Sequence, residues 1–162
     1  KGDFKRWLAS LGDRARVNTL EELRGWNRAH EAAGTLKYGQ SQLDISDQMN
    51  LEADRAQYQR DRETDVTLAG REGIDAALMA NKLDALLFPG SGGAAIAAKP
   101  GYPTVIVPFG LVPNTSAPAG FDARPAPFGV SFTGTACSEA RLIEIAYAFE
   151  QATKRRIPPP LD

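Results

Sequence analysis

LDALLFPGSGGAAIAAKPGYPTVIVPFG, residues 83–110, is where the chain changes character. Upstream of Leu83 the sequence is rich in charge and helix formers. From Leu83 onward the prolines gather, and the apolar residues come in short uninterrupted runs. Runs of that kind, bounded by Gly and Pro, are the pattern of strands covered on both faces. The reading places one strand over 84–88, a second over 104–108 (TVIVP) and a third over 128–132 (FGVSF). Between the last two lies GLVPNTSAPAGFDARPAP, residues 110–127, so rich in Pro, Gly, Asn and Ser that it reads as a surface excursion.

The centre of the opening stretch poses a chemical question. Ser91 stands among glycines directly behind a strand, as a nucleophile does on a strand–turn–helix elbow. Pro89, however, occupies the place of the elbow's first glycine, and proline cannot supply the positive φ or the close packing found there. Pro100 also cuts short the helix that should follow. Two partners for Ser91 are conceivable, Lys99 in a Ser–Lys pair or His30 in a triad, but no spacing brings either within hydrogen-bond reach. PGSGG therefore reads as a turn leaving a strand, with glycines that let the backbone pass close to something.

Outward from this stretch the chain is helical. Asp3 is placed to cap a helix in which Phe4, Trp7, Leu8 and Leu11 share a face and Gly12 is the stop. Thr19 and Glu22 have capping-box spacing ahead of Leu20, Leu23, Trp26 and Asn27, in a helix running to about Ala33 before Gly34. Over 50–82, Gly70 and Gly73 interrupt a helical composition, so the segment is two helices or one bent helix, with Val66, Ala69, Ile74, Ala77 and Leu78 inward. A final helix has Ser138 as N-cap, Glu139 near its positive end, and Leu142, Ile145, Ala146 and Phe149 on one face, closed by Arg155 and the prolines 158–160. The organisation is a helical region over 1–82 and a strand-loop-strand region with a C-terminal helix over 83–162. The class is α/β, with a partial mixed sheet of about three strands flanked by helices.

Composition narrows the chemistry. A net charge of −1 offers no basic field, so neither nucleic acid nor membrane is expected as a partner. The single cysteine, Cys137, excludes an internal disulfide framework and fits a reduced, cytoplasmic setting; the single histidine, His30, leaves no His-rich metal site. Cys137 reads as a small buried residue and His30 as a partly exposed helix residue. Asp61, Glu63 and Asp65 alternate with Arg60, Arg62 and Arg71, the mixture of a solvated helix surface. No P-loop or dinucleotide fingerprint occurs, and no cofactor or metal is expected. The opening Lys1-Gly2-Asp3, with neither a methionine nor an apolar segment, reads as the interior of a longer polypeptide.

Three stretches taken together, LDALLFPGSGG, AAKPGYPTVIVPFG and FGVSFTGTACSEARLIEIAYAFEQATKRRIPP, closely resemble the C-terminal end of the amidase signature family in motif, order and spacing. VNTLEELRGWNRAH and KYGQ upstream are similar to the region before it. One departure is Pro100, where the family often has alanine. The resemblance implies an α/β/α fold with a large mixed sheet, and hydrolysis of carboxylic amides by two serines and a lysine lying in a Gly- and Ser-rich signature earlier in the polypeptide. No segment of this chain matches that signature, so no catalytic residue is expected in it, and the PGSGG position corresponds to a non-catalytic turn. The chain is then expected to supply fold and part of the substrate pocket, through Gly92, Gly93, Gly101, Tyr102 and Pro103. Its partners would be the N-terminal catalytic half of the same protein and a small amide substrate, with a homo-oligomer allowed by unpaired sheet edges. The reading from another class is a non-catalytic binding or scaffold module derived from the same fold.

Overall fold

The computed structural model describes residues 1–115 and 124–158, which fall into two compact units, Lys1–Arg60 and Asp61–Asp162. Residues 116–123, within the Pro- and Gly-rich excursion, and the prolines 159–160 lie outside the described residues.

The first unit is helical. α1 (Gly2–Leu11) buries Leu8 and stops at Gly12, whose φ is 54°. Asp3 does not cap it: Lys1 holds the N-cap position, and Asp3 sits in the first turn, ion-paired to Arg6. There its charge still complements the helix end. α2 (Leu20–Ala29) begins as the capping box requires, with the Glu22 N–H donating to Thr19 Oγ1 at 3.0 Å. The Glu22 carboxylate accepts from the Asn18 N–H at 2.7 Å, one residue outside the usual partner. The helix ends at Ala29, a short tighter turn covers Glu31–Ala33, and Gly34 at φ 85° closes it. Losing the Thr19 hydroxyl frees one donor at the helix start. Thr19→Ala is therefore expected to cost about 1 kcal/mol in chemical denaturation, and Thr19→Ser almost nothing.

α3 (Ser41–Gln48) was not anticipated, because SQLDISDQ has no strong apolar period. It is held by charge instead. Arg24 on α2 donates to Asp44 at 2.5 Å and also pairs with Asp47, and Arg28 reaches Asp44 at 3.2 Å. Burial raises the Asp47 carboxyl, but the bonds from Arg24 and Lys1 outweigh it and hold the group below its ordinary range.

The second unit starts in α4 (Arg55–Asp65), which continues through a wide-turned, π-type segment (Val66–Asp75) into α5 (Ala76–Asn81). The interrupted helix is thus one continuous run. Gly73 makes the wide turn sterically possible: a Cβ there would stand 2.5 Å from the Leu68 carbonyl oxygen, five residues back. Ile74 and Leu78 are buried, with Val66, Ala69 and Ala77 half-buried, as the apolar spacing indicated.

β1 (Leu86–Pro89), β2 (Thr104–Val112) and β3 (Ala126–Thr133) form a sheet in the order β1-β3-β2. Both pairings are antiparallel, so the mixed character expected for the sheet is not carried by these three strands. Thr133 lies between Leu86 and Thr104, and Ser131 between Phe88 and Ile106. β2 and β3 extend into the expected excursion, through Val112 and from Ala126. The bulge in β2 lies between Pro108 and Gly110, where proline has no N–H to give the ladder.

β3 is central and buried from Gly129 to Thr133, which is why FGVSF reads as continuous rather than alternating. On one face Val107, Val130 and Phe132 meet Leu142 and Ala146 of α7 (Glu139–Thr153), with Phe109, Ile145 and Phe149 packed alongside. A second cluster joins Ile74, Leu78 and Ala97 to Leu86 and Tyr102. Ser138 is the residue before α7, but its hydroxyl donates backward to the Thr135 carbonyl at 2.7 Å and makes no cap. Cys137, expected to be buried, is exposed at φ 60°. The tight turn between β3 and α7 puts it outside. Among the described residues no helix is long and apolar enough to cross a membrane.

Candidate functional site

The five residues expected to line a pocket gather around the two ends of α6 (Gly92–Ala98). Behind β1 the chain turns through Gly90, whose N–H donates to the Gly129 carbonyl at 2.7 Å, and Ser91 occupies the N-cap position. Strand, turn and helix are therefore all present, and the helix is only seven residues long before Pro100. Ser91 is exposed and makes no capping bond. Neither conceivable base serves it. Lys99 Nζ is bound to both carboxylate oxygens of Asp65, at 3.0 and 2.9 Å, and His30 Nδ1 lies 2.8 Å from the Trp26 carbonyl, its ring stacked on that indole.

Gly92 is exposed, whereas Gly93 is buried beneath Phe88 and Thr133. A Cβ on Gly93 would lie 2.7 Å from Phe88 Cδ2 and closer still to Thr133 Oγ1, so α6 approaches the sheet only because this residue has no side chain. At the other end, the N–H groups of Gly101 and Tyr102 both donate to the Ala97 carbonyl, at 3.1 and 2.9 Å, with Gly101 at φ 84°. The Pro103 carbonyl accepts from the Gly134 N–H at 3.3 Å. These bonds tie the 101–103 loop to the end of α6 and to the turn after β3.

The charged group that organises this region was not singled out in the sequence. Asp75, the last residue of the wide-turned segment, accepts from the Tyr102 hydroxyl at 2.6 Å on Oδ2 and from the Thr135 hydroxyl at 2.6 Å on Oδ1. The bond to the Asp75 carboxylate raises the Tyr102 phenol above its usual range and burial adds to this, against smaller opposing effects of the Thr135 hydroxyl and the Arg71 charge. A signal existed: Asp75 directly follows the buried Ile74 in an otherwise apolar run, IDAAL, and a carboxylate on that border needs partners.

Asp75 and Thr135 also line a cavity of about 680 Å³, together with Arg71, Leu78, Met79, Ser138 and Arg141. None of the five expected pocket residues lines it; Tyr102 reaches it only through its bond to Asp75. The arrangement offers hydrogen-bond donors, an anionic acceptor and an apolar floor. Among the described residues it offers no group of three or more metal-ligating side chains.

No family model matches the chain. A probable amidase of Arabidopsis thaliana is 45% identical over 89 residues, 55% of this chain and 15% of the relative. An amidase-named protein of Arthroderma benhamiae is 30% identical over 151 residues, 86% of this chain and 24% of the relative. The crystal structure of native peptide amidase from Stenotrophomonas maltophilia matches with a TM-score of 0.72 and 38% identity, over 98% of this chain and 32% of that chain. The chain thus spans about a third of the peptide amidase and a quarter or less of these curated relatives.

Proposed function

We propose, because the chain belongs to the amidase signature family, that it forms the C-terminal part of an amidase hydrolysing carboxylic amides to acid plus ammonia or amine. The observation that carries this reading is the similarity to peptide amidase along 98% of the chain but only 32% of that enzyme. A fragment of that extent carries strands, helical cover and loops, and the serine, serine and lysine that do the chemistry belong to the upstream portion. There a serine oxygen attacks the amide carbonyl, its proton passes through the second serine to an unprotonated lysine, and backbone N–H groups hold the oxyanion. Gly92, Gly93, Gly101, Tyr102 and Pro103 contribute to the pocket wall. The partner is the N-terminal catalytic half and the ligand a small amide. A reduced, cytoplasmic location fits the lone thiol of Cys137.

The test compares two proteins. The full-length gene product is expected to turn over simple aliphatic and aryl amides, and the 162-residue chain alone to show no turnover above the buffer blank. Hydrolysis by the chain alone that disappears in Ser91→Ala, or Ser91 labelling by a fluorophosphonate probe, would overturn the assignment of roles.

A further inference from the structure

We propose that Asp75 is a positioning residue for the substrate pocket: by binding the Tyr102 and Thr135 hydroxyls at once, it sets the conformation of the 101–103 loop. The proposal rests on the amidase reading above for the identity of the pocket, and on geometry for the clamp itself. Asp75 lies 27 residues from Tyr102 and 60 from Thr135 in sequence, so its carboxylate joins the wide-turned helix to the loops on either side of the sheet hairpin. Each oxygen takes one donor, and hydrogen bonds to an ionised acceptor are roughly twice as strong as neutral ones.

Two features of the backbone serve this clamp. The wide turns over Val66–Asp75 advance the helix differently from regular α-turns, and such segments often place side chains at functional sites. Gly70, within them, lets the loop seat: a Cβ there would stand 3.0 Å from Pro100 Cβ and 3.3 Å from the Tyr102 hydroxyl. The loop so held is short, carries Gly101 at φ 84°, and stands beside the cavity that Asp75 and Thr135 themselves line. A displaced loop loses contacts with the bound ligand, and contacts made equally in the ground and transition states are read in KM.

The experiment uses the full-length gene product as wild type, Tyr102→Phe, Asp75→Asn and the double variant. Each is assayed on a small aliphatic amide and on a bulky aryl amide. Tyr102→Phe and Asp75→Asn are each expected to raise KM for the bulky amide about tenfold with kcat within about twofold, the pattern of lost binding contacts rather than lost chemistry. The double variant should be no worse than Asp75→Asn alone, because that substitution already disturbs the link that Tyr102→Phe removes. In parallel, the phenol titration of Tyr102, read as the ultraviolet difference between wild type and Tyr102→Phe, should lie above that of ordinary tyrosine and fall back in Asp75→Asn. An ordinary Tyr102 titration in the wild type overturns the clamp. A displaced titration with unchanged KM in both single variants overturns the positioning role. Wild-type protein without turnover on any amide overturns the amidase reading, and the pocket role with it, while the titration still decides whether the clamp exists.

Discussion

Replacing Gly93 by alanine is expected to destabilise the second unit by about 3 kcal/mol, and by valine to prevent its cooperative folding. The added carbon would stand 2.7 Å from Phe88 Cδ2 and nearer still to Thr133 Oγ1, and Thr133 cannot yield easily. Thr133 is fully buried and bonded to Thr104 at 2.9 Å, and it sits on the central strand with a partner on each side. Overpacking a well-filled site by one carbon typically costs about 1–3 kcal/mol, and here the collision falls at the upper end because the obstacle is the sheet itself. The adjacent Gly92 is the control. A Cβ on it meets only Phe88 Cβ at 3.7 Å, an ordinary contact, so Gly92→Ala should be neutral or slightly stabilising through helix propensity. Urea denaturation of the three proteins decides the matter. Equal midpoints for Gly92→Ala and Gly93→Ala would show that α6 does not lie against β3 as described.

The second large effect is expected at Leu142, which has no exposed surface and fills the space between α7 and the sheet. Leu142→Ala keeps a good helix former in α7, so the loss comes from packing alone. It should cost about 3–4 kcal/mol, the transfer of the side chain plus the cavity left among Val107, Val130 and Phe132. Ile143, the next residue of the same helix turn, provides the contrast, being 59% exposed. Ile143→Ala should change stability by less than about 1 kcal/mol, since little surface is withdrawn from water there. Leu142→Met, which conserves volume, should cost less than about 1.5 kcal/mol. The face assignment of α7 fails if the Ile143 variant is the less stable one.

Both effects were partly legible. The apolar period of α7 names Leu142, Ile145, Ala146 and Phe149, and the structure buries that face. The glycines of PGSGG announce a close approach, but not which of them makes it: Gly92 and Gly93 are indistinguishable in sequence and opposite in burial. α3 was missed because ion pairs from Arg24 and Arg28 substitute for an apolar stripe, and such pairs leave no periodic trace. Ser138 occupies the position that its residue type suggests, yet the Thr135 carbonyl lies within reach and captures its hydroxyl.

Local chemistry written along the chain was enough to place the three strands and the apolar face of α7. Those properties depend on neighbours a few residues apart. The strand order β1-β3-β2, the exposure of Cys137 and the joining of Tyr102 and Thr135 on Asp75 were decided only by the tertiary structure. Each depends on which distant groups meet, and a carboxylate's partners are set by the packing of helix and sheet rather than by spacing along the backbone.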